Sequence, residues 1–164
     1  MQNKSTHEIE VLPPETFKSL LDHEVKRSRR YGDSLTLIDL LIDTDPANLE
    51  AQRSAEAFAL NILKLHLRET DITSKRENEF IILMPATSAP GARTACERIG
   101  KLLNTEYQTD SGLPFRLITF IGTAAMPIDH SLSSDELSQN AAQALQHARV
   151  NRITHVIAFS EKLK

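Results

Sequence analysis

With 164 residues, 40% of them hydrophobic and 25% charged, and a formal net charge of -3, the chain has the makings of one globular domain that buries its own core. The balanced charge and the lack of any Pro-, Gly- or Ser-rich run speak against a disordered tail and against nucleic acid as a partner. The opening MQNKSTHEIEVLPPE has no apolar signal region, and no stretch approaches the roughly 20 apolar residues of a membrane span, so a cytoplasmic protein without a span is expected.

In chain order, residues 1–12 read as a flexible leader and 13–164 as one domain. Pro13, Pro14 and Glu15 make a helix start, and Phe17, Leu20, Leu21 and Val25 recur at helical spacing until RRYGD stops the pattern. The basic run KRSRR falls at that helix end, where cations favour the dipole. SLTLIDLLI is apolar at nearly every position and reads as an interior strand, with Asp39 as its anomaly. DTDP reads as a turn, and Leu49, Ala55, Phe58, Ala59, Ile62, Leu63 and Leu67 mark a second helix. TDITSK and EFIILMP form a candidate hairpin. SAPGARTACERIGKLLNTEY is a third helix, and FRLITFIGTAAMP is another interior strand. SSDELSQNAAQALQHARVN is a fourth helix, capped by Ser134, and THVIAF a last strand. This order predicts an α+β fold with a ferredoxin-like βαββαβ core, an added N-terminal helix and an extra C-terminal strand.

The lone Cys96 excludes an internal disulfide and reads as a buried structural thiol. His7, His23, His66, His130, His147 and His155 show no metal-ligand spacing.

Five segments in this order resemble the GGDEF domain, the bacterial module whose active form condenses two GTP into cyclic di-GMP. They are FKSLLDHEVKRSRRYGDSLTLIDLLID, LRETD, NEFIILMPATSAPGARTACERI, LITFIGTAAMPID and DELSQNAAQALQHAR. The resemblance implies a nucleotidyl cyclase-like fold and sets Arg76, Glu77, Asn78, Glu79 and Phe80 in the place of the signature Gly-Gly-Asp/Glu-Glu-Phe. Two glycines would let the backbone approach a triphosphate, and Arg76 and Glu77 cannot do so. The third signature residue, a Mg²⁺ carboxylate in the family, is Asn78, a neutral and weaker ligand. Counted from the Arg30-Tyr31-Gly32 turn, the other metal carboxylate falls at Leu41, two residues before Asp43. Asp39 shares strand parity with Leu41, but a lone carboxylate is a poor Mg²⁺ site. The segment after the first strand is shorter than the family's and lacks its guanine-reading Asn and Asp. In the fourth helix Ala142, Gln146 and Arg149 stand for the family's Asp, Tyr and phosphate-contacting Lys.

Other family residues are kept. Arg68-Glu69-Thr70-Asp71 matches the Arg-x-x-Asp of the family's allosteric cyclic di-GMP site, and Arg98, 18 residues beyond Phe80, matches its helical Arg. An arginine fork suits phosphate or the O6/N7 edge of guanine, and a carboxylate accepts from guanine N1 and N2. The resemblance therefore implies a degenerate, inactive regulatory module with no metal and no cofactor. Its ligand is cyclic di-GMP at Arg68, Asp71 and Arg98, or its partner is a signalling or effector protein; a homodimer is also open. An active cyclase with a rebuilt site is the remaining alternative.

Overall fold

The computed structural model describes residues 9–160 and 163. Along them run β1 (Val11–Leu12), α1 (Pro14–Tyr31), β2 (Leu35–Asp45), α2 (Leu49–His66), β3 (Ile72–Arg76) and β4 (Glu79–Pro85). These are followed by α3 (Ala89–Leu103), β5 (Glu106–Gln108), β6 (Pro114–Ala125), α4 (Ser134–Val150) and β7 (Ile157–Ala158). The strand order is β1-β3-β4-β2-β6-β5, with β7 also on β6. β4 lies between β2 and β3, and all core pairs are antiparallel, as the split βαβ arrangement requires.

Alternation along β2 separates two cores. Ile38, Leu40 and Ile42 point to one face, where Ala55, Ala59 and Leu63 of α2 and Cys96, Ile99 and Leu103 of α3 cover them. Leu35 and Leu37 point to the other face, against Phe17, Leu21 and Val25 of α1 and Leu137 and Ala141 of α4. The helix ends follow local chemistry. Pro14 fits the first turn of α1, and Gly32, at φ 73°, ends it in the left-handed region while its N–H donates to Ser28 O at 2.8 Å. Asn48 and Ser88 cap α2 and α3.

Four details differ from the sequence reading. The fourth helix is capped by Ser133, not Ser134, in a capping box with Glu136; the Ser134 hydroxyl donates instead to Asp22 of α1. The third helix stops at Leu103 because the side chain of Asn104 bridges Gly100 O and Thr119 of β6, which turns Glu106–Gln108 into an edge strand. Asp43–Asp45 are strand rather than turn, since β6 is long enough to pair with them. Of the residues read as leader, Val11–Leu12 form β1, which runs parallel to β3, Ile9 before it is buried, and the Ser74 hydroxyl donates to Leu12 O at 2.8 Å. Residues 1–8 of that leader lie outside the described residues.

The Ile-Gly of β6 has a steric reason. A Cβ on Gly122 would stand 2.2 Å from Leu145 N and 2.7 Å from Ala141 O, so only glycine lets the α4 backbone lie directly on the sheet. Gly122→Ala is expected to destabilise the domain by about 3 kcal/mol or more, measured by urea unfolding.

Candidate functional site

The turn between β3 and β4 joins the paired Arg76 and Glu79 through Glu77 and Asn78. Glu77 takes φ 54°, a conformation usually left to Gly, Asn or Asp. Asn78 is bound to the end of β2. Its C=O accepts from Ile42 N at 2.9 Å, and its side-chain amide donates to Ile42 O at 3.1 Å, which also accepts from Gln52. Arg76 Nη2 lies 3.3 Å from Glu79 Oε2, and Lys75 reaches Glu56 of α2 at 3.1 Å. Glu79 and Asn78 are partly buried and Phe80 is fully buried in the α2/α3 core.

Across the sheet from Glu79, Leu41 is buried with Phe120, Leu145 and Ala148. Asp43 accepts from Thr44 N and lies 3.9 Å from Arg152 Nη1, whose guanidinium also covers the Phe120 ring. Arg149 is exposed at the end of α4. Among the described residues no three His, Cys, Asp or Glu side chains come together as a metal site.

Arg68 and Asp71 are brought together in the turn before β3. Arg68 N donates to Asp71 Oδ2 at 2.8 Å, and Asp71 N donates back to Arg68 O at 3.0 Å. The other carboxylate oxygen, Asp71 Oδ1, is buried and has no hydrogen-bond partner. Burial pushes the Asp71 carboxyl above its ordinary value, against the opposing pull of the Arg68 N–H and charge. Asp71 faces α3 closely enough that its charge adds to the burial that raises the Cys96 thiol to about 12, so that thiol is inert at neutral pH. Arg98 is exposed on the same helix, and no ion pair among the described residues engages it or Arg68.

The family model of the GGDEF diguanylate cyclase domain matches residues 57–153. The chain belongs to the GGDEF family. No curated protein is significantly similar in sequence. Solved structures share the fold. The isolated GGDEF domain of YfiN (TpbB) from Pseudomonas aeruginosa superposes with TM-score 0.81 at 17% identity, covering 99% of this chain and 96% of its own. The GGDEF domain of DgcB from Caulobacter crescentus, in complex with c-di-GMP, gives 0.79 at 15%, covering 96% and 95%. Diguanylate cyclase SiaD from P. aeruginosa, in complex with its activator SiaC, gives 0.79 at 20%, covering 92% of this chain and 62% of its own. No helix among the described residues of this GGDEF domain is long and apolar enough to cross a membrane.

Sequence reasoning missed one feature of the domain and marked another only as an anomaly. The clamp of Asn78 on Ile42 has no local signal, because it joins residues 36 apart. The second was signalled by the odd carboxylate in an apolar strand. Asp39 does point to the same face as Leu41 and is 3% exposed. Burial, followed by the charge of Glu79, lifts its carboxyl from 3.8 to about 7, with Arg76 opposing.

The folded state thus keeps a proton on Asp39 that the unfolded chain has lost, so stability falls as pH rises from about 4 to about 7. Asp39→Asn removes that dependence. Its stability advantage over the parent is expected to widen by about 4 kcal/mol between about pH 4 and pH 8, read from urea unfolding at each pH.

Proposed function

We propose that this GGDEF domain is a catalytically inactive regulatory module of cyclic di-GMP signalling, acting as a receptor for the dinucleotide through Arg68, Asp71 and Arg98. The observation that carries the receptor reading is the unpartnered, buried Oδ1 of Asp71, in the turn that the other oxygen of the same carboxylate closes onto Arg68 N. A buried acceptor without a donor costs about 1–3 kcal/mol, and guanine N1–H or N2–H would satisfy it. Two exposed guanidiniums suit the phosphates and the O6/N7 edge of the same ligand.

The inactive half of the proposal draws on the signature turn. Asn78 uses its amide to hold Ile42, and the strand position of the family's metal carboxylate carries the buried Leu41. A hard cation needs charged oxygens, and no group of three His, Cys, Asp or Glu side chains forms among the described residues. Glu77 would also set a negative charge where a triphosphate has to approach, and its Cβ narrows that approach.

A second reading is a protein-interaction module. It is favoured by the rebuilt turn between β3 and β4, where the charged side chains of Arg76 and Glu77 stand exposed to solvent. SiaD, a structural neighbour, was solved with a protein activator.

Titration calorimetry with cyclic di-GMP separates the two readings. The receptor reading expects micromolar or tighter binding that disappears in Arg68→Ala; no heat above background at high ligand concentration eliminates it. The interaction reading expects a co-purifying protein that is lost on charge reversal at Arg76 and Glu77. Incubation with GTP and Mg²⁺ or Mn²⁺ is expected to yield no cyclic dinucleotide by chromatography, and any such product would overturn the inactive assignment.

A further inference from the structure

Asp39 does not sit in solid core. It lines a cavity of about 340 Å³ between α1, α4 and the sheet, whose walls are Phe17 and Leu21 of α1, Leu37 of β2 and Ile81 of β4. That volume lies at the lower end of small-ligand sites. Ala142, with its minimal side chain, leaves the space open on the α4 side.

Three charged residues line the cavity, and the two cations, Lys18 and Arg76, have carboxylate partners while Asp39 has no ion pair among the described residues. On α1, Lys18 lies 2.5 Å from Asp135 and 3.5 Å from Asp22. On β3, Arg76 is paired with Glu79 of β4. On α4, the lining residues Ser138, Gln139 and Ala142 carry no charge. Asp39 is 97% buried, counted from its 3% exposure, and no hydrogen bond from a described residue reaches its carboxyl. An isolated carboxylate in an apolar wall is costly, and a cation placed against it restores the ionised form.

We propose that this cavity is a binding site for a small organic cation, an apolar body ending in a protonated amine or amidine, with Asp39 as its counter-ion. The apolar walls take the body of the ligand, and the carboxylate at the floor accepts two charge-assisted N–H bonds. The site is on the α1/α4 face of the sheet, whereas Asp71 faces α3, so it stands or falls independently of cyclic di-GMP binding. Binding requires Asp39 to lose its proton. Affinity therefore rises with pH through the range in which the buried carboxyl titrates, with Glu79 delaying and Arg76 easing that ionisation.

The test uses benzamidine as cation and benzyl alcohol as its uncharged counterpart, followed by amide chemical shifts of the whole chain. Benzamidine is expected to shift residues 37–40 and 138–142 and to bind more tightly at about pH 8 than at pH 6. Asp39→Asn should weaken it about tenfold, and Ala142→Leu should exclude it, while Arg68→Ala leaves it unchanged. Spectra of the variants that match the parent away from the cavity certify the fold. Equal binding of benzyl alcohol, undiminished binding by Asp39→Asn, or no shifts at the cavity in the parent overturns the proposal.

Discussion

Strand β2 is hydrogen-bonded along both edges, to β4 over Leu35–Leu41 and to β6 over Thr36–Asp45, and is covered by helices on both faces. A strand held in this way cannot slip by one residue, because a slip would exchange the side chains of its two cores. The signature turn and the surroundings of Asp39 take their places from that register. Leu41 is opposite Glu79, Ile42 receives the tip of the hairpin, and Asp39 is opposite Gly122 on one side and Ile81 on the other. The close approach of α4 over Gly122 then brings Ala142 and Gln139 to the cavity that Asp39 lines.

Three carboxylates show how position divides one chemistry into different roles. Asp43 sits at the rim, accepts from Thr44 N and is near Arg152, so it has ordinary partners in a wet setting. Asp71 is half satisfied: one oxygen closes the Arg68 turn and the other is left without a donor. Asp39 is buried among apolar side chains, and desolvation dominates its ionisation. The same residue type is thus a strand-end acceptor, a capping group with spare capacity, or a charge that the fold suppresses.

The hairpin turn illustrates the reverse case, in which side chains of several types serve one structural purpose. Arg76 with Glu79 and Lys75 with Glu56 place ion pairs around the turn, and Asn78 ties it to β2. The exposed pair Arg76–Glu79 adds little stability on its own. The bonds of Asn78 to both the N–H and C=O of Ile42 matter more, since they satisfy backbone groups at the end of a buried strand.

The sequence by itself determined the family and most of the fold. The periodicity of Phe17, Leu21 and Val25, the unbroken apolar run of β2 and the order of segments around LRETD and NEFIILMP depend on local spacing, which is written in the chain. It also determined that Arg68 and Asp71 would meet, because only Glu69 and Thr70 separate them. Only the tertiary structure decided where short pieces went. Val11–Leu12 and Glu106–Gln108 have too few residues for a pattern and became strands because β3 and β6 offered open edges. It also decided the fate of Asp39. A polar residue in an apolar strand is visible in sequence, but whether it meets a partner, solvent or an unfilled cavity is fixed by residues 18, 76 and 142, brought together from three other elements. Burial and pairing are sums over neighbours distant along the chain, and that sum exists only once the sheet and its helices are assembled.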